Sequence, residues 1–558
     1  MTERAAIPVL PTRLLGVLGD LPTPFGASQV DGLPGSVCWF NGSWLVSTDA
    51  WEDRRLGLLD QRSGIWQEDD APAGWIRQPI VADDGTLAVL VHERNADCGH
   101  VYVRRAGHWD GIAQGVGIGA VTDWDGLRLA QRNDDGQATA LTRTGRLIRV
   151  EQGDGPPRIV IGGTRAAIGL PRGATVTHLA PAPDRELMAA VVRRGSAHQT
   201  QVFCLRTGRA LARASFREPV HSRPMWLDAD RIVLLVERWP SLVPVVWNWR
   251  QDEREYPWPP RLMGTVRSVG VAPDGTCAAA VSTPEAARRL CTLDDLDAVA
   301  VRGADREIRT VVVTTPDGQR LPCLVFEPSS TPRGTVLYFP GGPHEPMWAE
   351  HSAFSLAMND EGWRVVRVNV RSSGLREEGF RPVRPVRYGV DDVQDAVAVI
   401  EALGAGPVVT MGMSYGGFIA AMAGQQSDRC RATVVLSGFL SPRDLDHSEH
   451  PDVLRFVREA FVTAPRAPAA LTKPVFVAHG SADPRVPIDA VRAHMSRARA
   501  GSTIVELAGV GHAILSDHDA RLTYPTLLAW LRTMAPPSPS GRFPAADRNG
   551  ADRERLAS

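Results

Sequence analysis

Gly412-Met413-Ser414-Tyr415-Gly416-Gly417 decides how the rest of this chain is read. The apolar run Pro407-Val408-Val409-Thr410-Met411 enters it, and the small-residue run Phe418-Ile419-Ala420-Ala421-Met422-Ala423 leaves it. The first run has strand character and the second has helical character. Gly-x-Ser-x-Gly at such a junction predicts a nucleophile elbow, a turn too tight for flanking side chains that lifts a strained serine hydroxyl above a sheet. The motif by itself arises by chance in many chains, and its strand-to-helix setting gives it weight. A reactive serine also needs a base, an acid that orients the base, and donors for the developing oxyanion.

Candidates for all three occur in the right order. The strand Pro474-Val475-Phe476-Val477-Ala478 runs into His479-Gly480-Ser481-Ala482-Asp483-Pro484-Arg485-Val486-Pro487. The strand Thr503–Leu507 runs into Ala508-Gly509-Val510-Gly511-His512-Ala513. Asp483 and His512 therefore each occupy a loop at the carboxyl end of a strand, where open α/β sheets assemble their sites. Asp483 follows Ser414 by 69 residues and His512 follows Asp483 by 29. The expected roles are Ser414 as nucleophile, His512 as base and Asp483 as orienting acid. Asp483 could instead cap its loop, with Asp517 or Asp428 as the acid. His479 reads as structural and His518 as a surface residue. For the oxyanion, the backbone N–H of Tyr415 is expected to join donors from Phe339-Pro340-Gly341-Gly342-Pro343-His344, with Gly341 and Gly342 allowing close approach. A plain strand-ending turn is the other reading of that loop.

Around these loops, apolar strands alternate with helical stretches. Strands are predicted at Thr335–Phe339, 364–370, 408–411, 433–436, 475–478 and Thr503–Leu507. Asp391–Leu403 has helical spacing, with Val393, Val397 and Ile400 on one face. Residues 522–531 make a less regular helix whose first turn must hold Pro525. This alternation predicts a mostly parallel sheet with helices on both faces, the α/β-hydrolase arrangement. A hairpin precedes it: two strands flank the turn Pro316-Asp317-Gly318-Gln319.

The first ~300 residues look different. Turn signals recur before short apolar strands: Asn41-Gly42, Asp84-Gly85, Asp125-Gly126, Pro183-Asp184, Asp228-Ala229-Asp230 and Pro273-Asp274-Gly275. Most are 41–46 residues apart, with one longer gap at residues 126–184. That period fits four-stranded blades of about 40–50 residues. Six units are legible, and a seventh is either split across the ends or hidden in the gap. The expected architecture is an N-terminal β-propeller of six or seven blades (residues 1–300), a C-terminal α/β-hydrolase catalytic domain (301–535) and a disordered tail (536–558). A β-sandwich or a pair of small β domains is the alternative for the first part. Twelve of the 15 tryptophans fall there, which fits packing between blades better than a ligand-lined channel.

Composition narrows the function classes. The net charge of −1 and the 22% of charged residues give no reason to expect nucleic acid or a membrane as partner. Arginine supplies all the basic charge except Lys473. The start, Met1-Thr2-Glu3-Arg4-Ala5-Ala6-Ile7-Pro8, lacks a secretory pattern, and no apolar run reaches the ~18–20 residues that span a bilayer. The seven cysteines are scattered without C-x-x-C spacing. They read as reduced thiols of a cytoplasmic protein, and no metal or organic cofactor is indicated. A homo-oligomer stays open.

The C-terminal part resembles the prolyl oligopeptidase family of serine peptidases, particularly its acylaminoacyl-peptidase-like branch. The resemblance is carried by Gly341-Gly342-Pro343-His344, Asn369-Val370-Arg371-Ser372-Ser373-Gly374, Tyr388-Gly389 with Asp391-Asp392 and Asp395, Gly412 to Gly417, His479-Gly480 with Asp483 and Arg485-Val486-Pro487, and Gly511-His512. It implies hydrolysis of short or N-blocked peptides, with a propeller that admits only small substrates. Pro340 departs from the pattern, because histidine, or in some branches tyrosine, usually stands there. A tyrosine hydroxyl at that place can donate to the oxyanion and proline cannot, which leaves the task to backbone N–H groups. No paired-glutamate signature for a free peptide amine is present, so dipeptidyl-peptidase activity is less favoured. Residues 443–461 are expected beside the acyl or leaving-group pocket. The competing expectations are an esterase, thioesterase or amidase on the same triad, and a binding protein on an inactive scaffold.

Overall fold

The computed structural model describes residues 33–534, apart from short segments between 41 and 166 and residues 184, 196, 297–298, 300–305, 404–405, 462–470, 513 and 515–516. Four of the expected turns, Asn41-Gly42, Asp84-Gly85, Asp125-Gly126 and the Asp184 position, lie outside the described residues, as does the tail 536–558.

Through the strand Arg289–Thr292, the described residues form seven small antiparallel sheets. Five have four strands, one has three and one has two. Each is a meander in which consecutive strands pair. The long gap between turn signals holds a sheet of its own, made by Ala140–Leu141, Leu147–Glu151, Arg158–Ile161 and Ala167–Gly169.

The inner strands are apolar on both faces because a sheet covers each face. In Arg231–Arg238, Ile232, Leu234 and Val236 pack with Ala189, Val191 and Val202 of the preceding sheet. Val233 and Leu235 point the other way, into Val266, Ala279 and Val281 of the next. Leu45 of the first sheet packs with Leu87, Val89 and Val91 of the second. Its neighbours Trp44 and Val46 pack with Ala278 and Ala280 of the last. The first and last sheets are therefore in contact across 232–236 residues of chain, and the period-2 alternation of each strand serves two neighbours.

The C-terminal part is one eight-stranded sheet. Its spatial order is Ile308–Thr314, Arg320–Phe326, Arg364–Val368, Thr335–Phe339, Val408–Met413, Cys430–Leu436, Val475–Gly480 and Thr503–Leu507. The hairpin Ile308–Thr314/Arg320–Phe326 enters antiparallel, and every pairing beyond Arg364–Val368 is parallel. Helices Asp391–Leu403, Tyr415–Gln426 and Ile488–Met495 cover one face through Val399, Ile400, Phe418, Ile419 and Val491. Helices Ala353–Asp360 and Asp517–Met534 cover the other through Phe354, Met358, Leu527, Trp530 and Leu531.

Two boundaries differ from expectation. The strand expected over 364–370 ends at Val368, because Asn369 turns to bond Met347 and Arg371 begins a 3₁₀ turn. The last helix begins at Asp517, so Pro525 lies inside it and not in its first turn. Proline there removes one backbone hydrogen bond, and burial of Leu527, Trp530 and Leu531 against the sheet offsets the loss. Among the described residues, no helix is long and apolar enough to cross a membrane.

The small sheets meet the large one through the loop that follows Thr335–Phe339. Trp348 of this loop is buried beside Leu242, Leu375 and Phe380, 6.2 Å from the Trp239 ring and 6.0 Å from the His221 ring. Ala349 N donates to Pro240 O (2.7 Å), and His351 N donates to Ser282 Oγ (3.0 Å). Two backbone-to-carboxylate bonds, Arg376 N to Glu237 Oε2 and Trp239 N to Glu377 Oε2, are both 2.8 Å. A tryptophan this buried makes the Trp348→Ala variant a direct probe of the junction. The expected loss is about 3–5 kcal/mol, seen as an earlier urea midpoint, with faster proteolysis between the two parts.

Candidate active site

The elbow is a matter of missing Cβ atoms. A Cβ on Gly412 would lie 2.1 Å from Gly416 O, and a Cβ on Gly416 would lie 2.2 Å from Pro340 O and 2.4 Å from Phe339 O. No L side chain fits at either place. Ser414 between them has φ 51° and ψ −120°, a region that non-glycine residues rarely occupy. Such a conformation costs on the order of 1–3 kcal/mol and persists only where its surroundings hold it. Here Ser414 N donates to Leu436 O (2.9 Å) and Ser414 O accepts from Gly417 N (2.9 Å), which pins the residue between strand and helix.

The histidine and aspartate arrive on neighbouring loops. Gly480 ends its strand against the following loop, where a Cβ would meet Val510 O and Gly511 O at 2.2 Å. Ala482 N donates to Val510 O (2.9 Å) and Gly509 N donates to Ser481 Oγ (2.9 Å). These contacts draw the Asp483 loop and the His512 loop together. His512 Nδ1 lies 2.8 Å from Asp483 Oδ2, and His512 Nε2 lies 2.9 Å from Ser414 Oγ. The structure thus brings Ser414, His512 and Asp483 into one chain of hydrogen bonds.

Asp483 also caps its loop, since its Oδ1 accepts from Arg485 N (2.9 Å) and Val486 N (3.0 Å). The two readings of this residue coexist. Burial opposes ionisation of Asp483, but bonds from His479 and His512 hold its carboxyl well below the usual carboxylate range. An ionised Asp483 can only accept, so the His512 proton sits on Nδ1 and Nε2 is left to accept from the serine hydroxyl. His479 is fully buried, 2.9 Å from Val486 O and 3.3 Å from Asp483 Oδ2, and supports the acid from beneath. Asp428 is exposed beyond the helix Tyr415–Gln426, away from this chain of bonds. The side chains of Asp517 and His518 lie outside the described residues.

On the oxyanion side, Gly341 lies against the elbow. A Cβ placed on it would come within 3.9 Å of Ser414 Cβ and 3.7 Å of Met413 O. Gly342 has φ 108°, and a Cβ there would face His344 and Glu345. Gly341 is therefore the glycine brought to Ser414, and Gly342 turns the loop away. Tyr415 opens its helix, and its side chain is held on both sides. Its hydroxyl donates to Asp392 Oδ2 and accepts from Gly389 N (2.7 Å). Burial, then the Asp392 charge, pushes the Tyr415 hydroxyl well above its ordinary pKa, so it remains a donor.

The role of the Arg371 and Asp391 to Asp395 stretches was not legible in the sequence. Asp392 Oδ1 accepts from Ser372 N (3.2 Å), tying the strand-end turn to the Tyr415 hydroxyl. Arg371, buried, spans Asp395 and Asp317, with Nη1 2.8 Å from Asp317 Oδ2. Burial pushes the Asp395 carboxyl up to about 6 against the pull of Arg371. These groups support the site from below and do not reach the serine. Spacing alone gives no sign of it, because their partners come from three separate segments.

An aromatic wall stands beside Tyr415. Phe418 and Phe439 stack at 5.0 Å, Phe456 meets Tyr388 edge-on at 5.4 Å, and Phe461 lies 5.9 Å from Tyr415. Phe456 and Phe461 belong to the 443–461 segment expected near the pocket. Among the described residues, no group of three or more His, Cys, Asp or Glu side chains could hold a metal ion.

The geometry makes Gly416→Ala a sharp probe. The added methyl must push Pro340 and the elbow apart. The expected result is a loss of about 1–3 kcal/mol in stability and of roughly 10²-fold or more in turnover. Gly169→Ala, where an added Cβ meets nothing within 4 Å, is the neutral comparison.

Residues 350–536 match the model of the prolyl oligopeptidase family. Acylamino-acid-releasing enzyme 2 of Oryza sativa subsp. japonica is 27% identical over a segment covering 32% of this chain and 28% of that protein. The chain thus spans well under a third of the curated relative it matches. A puromycin hydrolase structure superposes with a TM-score of 0.67 at 16% identity, covering 92% of this chain and 96% of the other. An acylaminoacyl peptidase of Pyrococcus horikoshii gives 0.57 at 12% identity, covering 91% and 97%. A puromycin-hydrolyzing peptidase of Mycobacterium tuberculosis gives 0.60 at 16% identity, covering 91% and 87%. At these identities the likeness is one of fold.

Proposed function

We propose that this chain, whose residues 350–536 match the model of the prolyl oligopeptidase family, is a serine peptidase that hydrolyses short or N-blocked peptides through an acyl-enzyme on Ser414. The observation that carries this reading is the continuous chain of bonds from Ser414 Oγ through His512 to Asp483, at 2.9 and 2.8 Å. Ser414 Oγ attacks the carbonyl carbon while its proton passes to His512 Nε2. Asp483, ionised, stabilises the imidazolium and keeps its orientation. The oxyanion forms against the backbone N–H groups of Tyr415 and Gly341. Pro340 has no N–H, so Gly341 is the first residue of its loop able to donate. His512 then gives its proton to the leaving amine. A water attacks the acyl-enzyme with His512 as base, releasing the acid and restoring Ser414.

In this reading, the seven small sheets between Leu33 and Thr292 are the blades of a propeller, and the eight-stranded sheet with its helices is an α/β-hydrolase domain. The contact of the first sheet with the last supports a closed ring. A ring seated on the loop that carries Gly341 and Trp348 restricts access to small substrates. The aromatic wall at Phe439, Phe456 and Phe461 suits an apolar side chain of the acyl residue. A reducing, cytoplasmic setting belongs to the same reading, with Cys277, Cys291, Cys323 and Cys430 as buried thiols.

The test is a panel of aminoacyl-nitroanilides, N-acyl peptides and simple esters, with puromycin included because two of the similar structures carry its name. Turnover of amide substrates is expected in the wild type, with a loss of about 10⁴-fold or more in Ser414→Ala and about 10⁴-fold in Asp483→Asn. Hydrolysis of esters alone, abolished in Ser414→Ala, would point to an esterase. The acid limb of kcat/KM is expected to fall with unit slope, one proton, because the Asp483 carboxyl stays ionised across it. A limb falling with the slope of two protons contradicts the assignment of Asp483.

A further inference from the structure

One ionisable group next to Ser414 has no part in the triad. Glu345 follows the loop glycines, and its Oε2 lies 3.1 Å from where a Cβ on Gly341 would stand. That same position is 3.9 Å from Ser414 Cβ. The carboxylate therefore stands one side-chain layer from the nucleophile.

Its backbone is held on both flanks. His344, with φ 71°, donates its N–H to Ser372 O (2.8 Å), and a Cβ on Gly374 would touch His344 Cα at 2.8 Å. Two residues beyond Glu345, Met347 N donates to Asn369 Oδ1 (2.8 Å) and Met347 O accepts from Asn369 Nδ2 (3.0 Å). The side chain itself is exposed and, among the described residues, has neither an ion pair nor a hydrogen bond. The structure thus holds the Glu345 backbone beside Ser414 and, among the described residues, pairs its carboxylate with no cation.

An unneutralised carboxylate there works against the proposed chemistry, because it repels the negative charge that develops on the substrate oxygen. A substrate that brings its own positive charge removes the repulsion. The leaving group departs on the His512 side, where the imidazolium must protonate it. Glu345 sits on the oxyanion loop, so the charge it meets belongs to the acyl residue. The α-amine of an N-terminal residue is roughly 2.5 Å from its carbonyl carbon, within reach of a carboxylate in this position.

We infer that Glu345 is a specificity-determining residue that binds the free α-ammonium of the acyl residue, so that the enzyme favours short peptides and aminoacyl amides with a free amino end over N-blocked ones. This rests on the peptidase reading above and narrows it to the first of its two substrate classes. The selection is electrostatic in origin: the ammonium gains an ion pair, while an N-acyl substrate leaves the carboxylate unpaired beside the oxyanion.

The experiment compares kcat/KM of an aminoacyl-4-nitroanilide with that of its N-acetyl counterpart in the wild type, Glu345→Gln and Glu345→Asp. The wild type is expected to favour the free amine. In Glu345→Gln the ratio of the two substrates should fall by roughly tenfold or more, and in Glu345→Asp by less. A ratio unchanged in Glu345→Gln, with both substrates falling together or neither moving, overturns the inference and leaves Glu345 as a part of the loop. Fluorophosphonate labelling of Ser414 in each variant reports an intact elbow. Should Glu345→Gln fail to label, the ratio in Glu345→Asp decides. If the wild type cleaves esters and neither anilide, the peptidase reading fails by itself. The ratio for an aminoacyl ester and its N-acetyl ester then judges Glu345 separately.

Discussion

The backbone-on-backbone contact between the start of the helix Tyr415–Gln426 and the strand end at Phe339 and Pro340 is the constraint on which the site depends. Gly416 passes so close to two carbonyl oxygens that a methyl group would stand 2.2 and 2.4 Å from them. That closeness fixes three things together. It forces Ser414 into a left-handed conformation with its side chain projected outward. It brings Gly341 beside the serine, on the side where the proposed oxyanion would form. It also sets the direction of the loop that continues through Glu345 and Trp348 to the small sheets. One steric fact in a dipeptide-sized space therefore couples the nucleophile, the oxyanion loop and the junction between the two parts of the chain.

The polar groups around this contact divide by whether they touch the reacting atoms. Ser414, His512 and Asp483 form one line of short bonds. Asp392, Gly389 and Ser372 hold the Tyr415 ring, and so the N-terminus of the helix that carries its N–H. Arg371 with Asp395 and Asp317 is a further layer down. Each buried charge in that layer has an opposite charge or several N–H groups bonded to it, which is the condition for tolerating it in a core. The same principle makes Glu345 stand out. Among the described residues it is the carboxylate beside the serine with no such partner, which is why its charge is proposed to meet one on the substrate.

Much of this was legible in the sequence, and the reasons differ by element. Ser414, Asp483 and His512 could be named because each ends a strand in a row of apolar strands, and strand ends share an edge. The hairpin before the large sheet was legible from Pro316-Asp317-Gly318-Gln319, where Gly318 does take a positive φ of 84°. The sheet at Ala140–Gly169 was hidden because its strands are only 2–5 residues long and its Asp154-Gly155 follows Asp125-Gly126 by 29 residues, off the 41–46-residue spacing of most of the others. The beginning of the last helix was missed because Pro525 suggested a first turn, while packing of Trp530 and Leu531 outweighed the lost hydrogen bond. The functions of Arg371, Asp392 and Glu345 could not be read at all. These partners of Arg371 and Asp392 lie 20–54 residues away, and only the folded chain shows that those two are paired while Glu345, among the described residues, is not.

The central claim is that Ser414 is a nucleophile activated by His512 and Asp483. Intact-mass analysis after treatment with a fluorophosphonate, followed by peptide mapping, addresses it without any assumption about substrate. The account predicts one adduct per chain, on the peptide that contains Ser414, formed far more slowly when His512 is replaced by alanine. No adduct, an adduct on another residue, or a rate indifferent to His512 would contradict it.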